Sequence, residues 1–468
     1  MYEFRSSRYR LYPNRAQAVQ FRQLCGASRY VYNTLLGQQI EDYERYRAGD
    51  GEKPDASAYG LGRQFIRLRH RDGHDWLEPL SCQVVRASGA FRLGAAFGHF
   101  FRRVKEARAG EEPGFPHFKA KGFSRESFII PEAVRLERKR LRVPKVGWVR
   151  LNRKAQSRTQ GSDPWSEGEA VSVVVYEEVG KWYAAVLRRV EIGLRAWPWN
   201  ARAVGIDRNS ENVALCWEGE TRLIEIPLER IERYEKKAAH YQWRASRRKM
   251  KPLRGEDGAV VLKKSGRPVQ VASGRRQKMQ RRAAKAKRRA ATIRLDWSHQ
   301  TACRIARQFQ FIVLEDLNLK AMTKSAKGTR ECPGKQVGAK SALNRKLLRS
   351  CMGQLGRFLE YKAVQVLKVP ARNTSRQCAR CGHTKEANRK AERFACRACG
   401  HRDHADCNAA RNILGLGLNK LLAGGAPVTG RGGDNETGVL LCEWRHLVET
   451  ANDPSRHLPW NLPRLDPG

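Results

Sequence analysis

The sequence predicts a multidomain α/β protein: a small antiparallel β-domain carrying inserted helices, then a mixed α/β domain interrupted by a cysteine ribbon. Three observations predict it. Short β-like runs crowd residues 124–190; three strand-like runs at hairpin spacing begin near residue 201 and are followed by long helical stretches; and four of the 12 cysteines sit in two tight pairs. At 468 residues the chain has length for two to four cores.

The elements follow in order. Tyr2 to Tyr12 alternates like a strand, and Val19, Phe21, Leu24, Ala27, Val31, Leu35 and Ile40 then recur with a helical period. A second helical stretch, Gln83 to Ala107, carries the apolar stripe Val84, Ala87, Phe91, Ala95, Phe97 and Phe101, with arginines on other faces. The runs FIIP, LRVPKVGWVRL, VSVVVYEE and WYAAVLRRV, punctuated by Gly, Pro and charge, read as a β-barrel-like domain whose partner strand is the N-terminal segment. AVGID, VALCWEG and TRLIEIP open the next region, before helices over Glu229 to Met250 and Arg275 to Phe309. Lys251 to Gly274, rich in Gly, Pro and charge, reads as a mobile loop. FIVLEDL is a strand, Thr323 to Lys340 a loop, Ala342 to Lys362 a helix and Ala405 to Leu414 a last short helix; the Gly- and Pro-rich tail suggests no function.

Charge narrows the partners. Lysine and arginine number 91 against 47 acids, a formal charge of +44, and so basic a surface binds polyanions by releasing their counterions. Hydrophobic content of 41% argues against a disordered basic tail. No run approaches the roughly 20 apolar residues of a membrane span, and MYEFRSSRYRLYPN lacks the apolar region of a signal peptide, so a cytoplasmic protein is expected. Arg275, Arg276, Lys278, Arg281, Arg282, Lys285, Lys287, Arg288 and Arg289 surround the start of one helix on nearly every side. Like charges three and four residues apart repel, so these side chains are expected between nucleic-acid phosphates.

Three acids stand where an active site would be built. Asp207 ends AVGID, Glu315 ends FIVLE, and Asp406 opens the final helix in HADCNAARNIL. In-line attack on a phosphodiester is served by two magnesium ions about 3.5–4 Å apart, which take oxygen ligands, whereas histidine or cysteine selects softer metals. Singly, each acid reads more readily as a structural residue, Asp207 as a strand-end turn, Glu315 with Asp316 as a strand cap and Asp406 as a helix cap; together their order matches an RNase H-like nuclease plan. Asp316 competes for the second position and Asp403 for the third.

Cys378-x-x-Cys381 and Cys396-x-x-Cys399 are separated by 14 residues, and Gly382 and Gly400 follow the second cysteine of each pair. Clustering of this kind points to metal in a reducing compartment rather than to disulfides. Four thiolates close a tetrahedral zinc site with no place for water, so this zinc is expected to be structural.

TSRQCARCGH followed by FACRACGHRDHADCNAARNIL resembles the closing block of TnpB proteins and miniature type V CRISPR effectors. YRLYPNRAQ, YVYN, GFPHFKAK, PKVGWVRL, VGID and VLEDL fall in the order of that family, and the resemblance spans roughly residues 8–415. It implies that Asp207, Glu315 and Asp406 are the RuvC acids holding two Mg²⁺, and that Cys378, Cys381, Cys396 and Cys399 hold zinc. It also implies a guide RNA, a double-stranded target DNA cut beside a short flanking motif, and one protein per RNA. The domains expected on this plan are a wedge β-barrel from 1–12 and 124–198, an inserted helical recognition domain at 13–123, and a RuvC nuclease domain from 199–370 and 403–420. A zinc ribbon occupies 371–402 and a flexible tail 421–468. Arg208 and Asn209 depart from the family, where many members have a hydrophobic residue and glycine. An RNA-guided binder that does not cut, and an unguided DNA-binding or transposition protein, are the rival readings.

Overall fold

The computed structural model describes residues 2–106, 114–122, 124–137, 139–152, 168–191, 202–254, 258–262, 268–328 and 332–422. The expected tail lies, from 423 on, outside the described residues. The chain divides into two compact units, Met1–Gly193 and Leu194–Gly468.

In the first unit, β1 (Tyr2–Tyr12) alternates in burial and sinks Tyr9 and Leu11 into the core. Asn14 stops the strand and starts α1 (Arg15–Arg47): its side chain accepts from the Gln17 amide while the Gln17 side chain accepts from the Asn14 amide, a reciprocal cap that satisfies two otherwise unpaired donors. The α1 stripe buries Phe21, Leu24, Val31 and Leu35, and Val19 stays exposed. After α2 (Ala58–Arg69), α3 (Cys82–Arg86) passes through a π-helical turn, Ala87–Phe91, into α4 (Arg92–Glu106). A π turn inserts a residue and rotates the downstream face. Leu93 and Phe97 therefore face the core, whereas Ala95 and Phe101, assigned to the buried stripe by simple periodicity, are exposed.

Six further strands, β2 (Ser127–Ile130), β3 (Leu136–Glu137), β4 (Arg140–Val143), β5 (Gly147–Asn152), β6 (Glu169–Glu178) and β7 (Lys181–Glu191), join β1 in one antiparallel sheet of order β2-β6-β7-β1-β5-β4-β3. β1 sits inside it, paired with β7 from Tyr2↔Glu191 to Leu11↔Trp182 and with β5 at Arg10↔Asn152. Among the described residues no ladder joins the edge strands β2 and β3, so the hydrogen bonding does not close a barrel.

The second unit is built on a mixed five-stranded sheet. The strands β8 (Ala203–Arg208), β9 (Asn212–Trp217) and β10 (Glu220–Glu225) form an antiparallel meander. The hairpin α5 (Leu228–Ser246) and α6 (Gly274–Gln308) follows, its connection carrying β11 (Met250–Pro252) paired with β12 (Gln270–Ala272). The expected loop from Lys251 to Gly274 thus contains short strands; Leu253, Val261 and Val269 bond to one another through their backbones. Next come β13 (Phe311–Glu315), α7 (Leu319–Met322), α8 (Val337–Arg349), α9 (Met352–Lys362) and β14 (Gln365–Val369). The helix expected over 342–362 is broken at Ser350 and Cys351, the latter with φ of 61°. The ribbon strands β15 (Arg389–Lys390), β16 (Arg393–Ala395) and β17 (Arg402–His404) lead into α10 (Ala405–Leu422), longer than expected.

The sheet order is β10-β9-β8-β13-β14, with β8, β13 and β14 parallel. One face packs Val204, Ile206, Ile312 and Leu314 against Ala302 and Ile305 of α6 and Leu355 and Leu359 of α9. The opposite face packs Phe311, Val313 and Val369 against Ala410, Ile413, Leu414 and Leu418 of α10. Two glycines permit that second layer: a Cβ on Gly205 would lie 2.4 Å from the Ala410 carbonyl oxygen, and one on Gly417 would lie 2.4 Å from a Val313 methyl.

Candidate functional site

Strand alternation decides which acids face α10. Leu314 is paired with Ile206, so the residues that follow, Glu315 and Asp207, end neighbouring parallel strands. Both lie an even step from residues of the α10 face, Val313 and Gly205, and so project to that side. Asp406 stands in the first turn of α10, the helix laid on the same face. All three carboxylates are buried, between 5% and 8% exposed.

Their electrostatics is that of a crowded anionic site. Burial first, then Glu315, and more weakly Asp406, push the Asp207 carboxyl up to about 7, while a hydrogen bond from Asn209 (3.0 Å) and the Arg389 guanidinium pull the other way. Burial also raises Glu315, against a 2.5 Å hydrogen bond from the Thr374 hydroxyl and the charges of Arg208 and Arg389. Arg389 comes from β15 and donates to Asp406 Oδ1 at 2.9 Å. The competitors are placed elsewhere: Asp316 is exposed, and Asp403 accepts from Arg411 Nε at 3.2 Å and from the His404 amide at 2.7 Å.

Further side chains that sequence reasoning assigned no role support the site. Buried Arg208, following Asp207, donates to the carbonyl oxygens of Glu315 (2.7 Å) and Met352 (3.3 Å), tying the ends of β8 and β13 to α9. Asn408 and Asn412 of α10 both donate to the Gln377 carbonyl, at 2.8 and 2.7 Å, and Asn412 also to that of Thr374. The helix that bears Asp406 thereby holds the segment that orients Glu315. A repeated Asn on a helix face was the available hint.

Cys378, Cys381, Cys396 and Cys399 converge with their sulfur atoms within 4.8 Å of one another, and among the described residues they are the one group of three or more potential ligands that does so. The carboxylates are spread more widely. Cys378–Cys399 and Cys381–Cys396 sulfurs are 3.7 and 3.6 Å apart, close to the ~3.8 Å edge of a tetrahedron with 2.3 Å zinc–sulfur bonds. Each pair closes a matched turn: the Gly382 amide donates to the Cys378 carbonyl and the Gly400 amide to that of Cys396, with φ of 73° and 69° at the two glycines.

The basic residues of α6 divide by surroundings. Met279, Ala283, Ala286 and Ala290 form a narrow buried stripe, so the helix is not charged on every side as its composition implied; small alanines leave little periodic signal. Arg275, Lys278, Arg281, Arg282, Lys285, Lys287 and Arg289 are exposed, and Arg288 is half-buried. Arg276 is turned back onto the end of α5, donating to the carbonyl oxygens of Arg248 (2.8 Å) and Ser246 (3.4 Å). Among the described residues no helix is long and apolar enough to cross a membrane.

Comparison with known proteins joins these observations. Residues 353–413 match the Cas12f1-like TNB domain, and residues 2–48 match a helix-turn-helix domain of the OrfB IS605 type; here the latter residues form β1 and α1. The chain is 30% identical over 439 residues to the candidate RNA-guided DNA endonuclease InsQ of Escherichia coli (strain K12), covering 92% of this chain and 96% of that one. A 65-residue stretch, 14% of this chain and 15% of the relative, is 40% identical to the CRISPR-associated endodeoxyribonuclease Cas12f1 of Sulfoacidibacillus thermotolerans. A Cas12f1–sgRNA–target DNA complex is similar at a TM-score of 0.44 and 15% identity, covering 86% of this chain and 83% of that one. By its near full-length match to InsQ, the chain belongs to the TnpB-like family of RNA-guided DNA endonucleases, the group that also resembles the miniature type V effectors.

Proposed function

We propose that the protein is a guide-RNA-dependent DNA endonuclease that cuts its target at Asp207, Glu315 and Asp406 with a pair of Mg²⁺ ions. The observation that carries this reading is the burial of three carboxylates on the α10 face, where desolvation, reinforced by the charges of Glu315 and Asp406, raises Asp207 to about 7. A cluster of hard oxygen donors so short of positive charge favours divalent cations.

The residues fit that role. Asp207, Glu315 and Asp406 are the oxygen donors that would hold the ions, and Asp207 feels the charge of both other acids. Thr374 and the backbone bonds of Arg208 hold Glu315 in place. Arg389 supplies positive charge beside Asp406 and is suited to meet a phosphate oxygen there. Bound Mg²⁺ would supply an activated water and neutralise the leaving oxygen. The four cysteines are assigned a structural zinc, the exposed basic residues of α6 contact nucleic-acid phosphates, and the first unit, read as wedge and recognition domains, takes part in gripping the guide and reading a flanking motif.

The extent of the match favours the TnpB-type form of this activity over a CRISPR effector, since the similarity to InsQ runs the length of the chain and that to Cas12f1 covers 65 residues. Sequencing the RNA that copurifies, followed by cleavage of a matched plasmid with Mg²⁺, tests the proposal. Asp207→Asn should abolish cutting and leave RNA retention intact; equal cutting by the variant would remove Asp207 from the site.

A further inference from the structure

The first unit gathers four cations, of which one is paired with a carboxylate among the described residues. Arg29 of α1, Arg92 of α4, and Lys119 and Arg125 from the segment entering β2 line one recess with Ser124 and Ser127. The recess has a cavity volume of about 20 Å³, room for a single oxygen. Glu126 is the one carboxylate paired there, with Arg29 at 2.8 Å. Among the described residues Arg92, Lys119 and Arg125 have no acidic partner. Arg92 donates to the Ser127 hydroxyl at 3.1 Å, and Arg125 lies 3.6 Å over the Tyr176 ring.

Lys119 is placed there by design of the backbone. Asn33 donates to the Lys119 carbonyl at 2.9 Å and accepts from its amide at 2.8 Å, so YVYN and GFPHFKAK, two motifs with no role in the nuclease site, are clamped together. This sets the Lys119 ammonium 3.2 Å from the Tyr32 ring centroid. Burial, then Arg92, depresses Lys119 to about 7, and burial lowers Arg92 as well. Holding like charges together out of water is unfavourable unless an anion completes the group.

We infer that this recess is an oxyanion site, in which one non-bridging oxygen of a phosphodiester enters between Arg92 and Lys119 while Arg125 meets the same phosphate at the mouth. That the phosphate belongs to guide RNA or target DNA rests on the nuclease reading; that the recess takes an oxyanion does not.

The test uses the full chain and the double variant Arg92→Gln, Lys119→Met. Melting is followed while inorganic phosphate replaces chloride at constant ionic strength. Dissociation constants are then measured across a salt series, for RNA-stripped protein with its resynthesised RNA and for the RNA complex with a matched duplex. The wild type should be stabilised by phosphate and the variant not, and the ligand-free variant should melt no lower than wild type. Affinity should fall about tenfold, with the salt slope shallower by about one, in the RNA arm if the guide supplies the phosphate and in the DNA arm if the target does. The inference is overturned if phosphate acts no better than chloride, if the ligand-free variant melts lower, or if both nucleic acids bind within twofold of wild type. Loss of cutting in Asp207→Asn is a separate readout, so the nuclease reading and this one fail independently.

Discussion

Arg389 of the ribbon donates to Asp406 at the head of α10 across 2.9 Å, and its charge reaches Asp207 and Glu315 as well. A single guanidinium therefore balances part of three buried acids. Arg389→Ala should destabilise the protein in EDTA by about 1–3 kcal/mol, the cost of leaving a buried charged acceptor unsatisfied. Saturating Mg²⁺ should recover most of that loss, because the ions supply the missing positive charge. Paired thermal melts in EDTA and Mg²⁺ check this; an equal loss in both conditions would place Arg389 in the fold rather than in the site.

Asp207 is destabilising in the metal-free protein, since burial and two neighbouring carboxylates oppose its charge. Asp207→Asn keeps the shape and removes the charge, so it should raise the melting temperature in EDTA at pH 8 and shrink the gain on adding Mg²⁺. A drop in EDTA stability would mean that the carboxylate is already compensated.

Gly205 sits where α10 presses on β8. The Cβ of Gly205→Ala would meet the Ala410 carbonyl oxygen at 2.4 Å and Leu414 at 2.7 Å, backbone that cannot turn aside. Helix and strand must separate, at a cost of about 1–3 kcal/mol, and Asp406 must move relative to Asp207. Denaturant melts should show the loss, and guided cleavage should fall further than RNA binding does.

Removing metal from the cysteine ribbon should act at a distance on Glu315. The ribbon's first strand of contacts runs from Thr374 and Gln377 to Asn408 and Asn412, so a melted ribbon frees the hydroxyl that holds Glu315. Purified protein should carry equimolar zinc, and Cys396→Ser should lose both zinc and cutting while α6 retains nonspecific nucleic-acid affinity. Zinc-free protein that cuts normally would contradict the assignment.

The strand-end acids and the paired cysteines were legible because each is a local pattern, an acid closing an apolar run or two cysteines at fixed spacing. The pieces around them were not. β14 has no counterpart among the expected strands, since AVQVLKV is short and its pairing with β13 is parallel and distant in sequence. The break between α8 and α9 falls on Ser350 and Cys351, with no Gly or Pro to announce it. Arg208, Thr374 and Arg389 act through contacts 59 to 144 residues away or through the ribbon's fold, which no window of sequence reveals.

Lys119 offers a test by pH. Its ordinary value of 10.5 falls to about 7 in the native protein, so between these limits the unfolded chain holds a proton that the native chain has released. Stability therefore rises with pH across that window; the penalty is fully present below pH 7 and gone above 10.5. Lys119→Met removes the penalty and should melt higher than wild type at pH 6.5, with the two curves converging toward pH 10. The charged groups facing it, Arg29, Arg92, Arg125 and Glu126, and the titratable Cys25 and Tyr32 are common to both proteins, so the difference isolates Lys119. A difference that stays constant across the range would mean that Lys119 keeps its proton throughout and that the recess is wetter than its geometry implies.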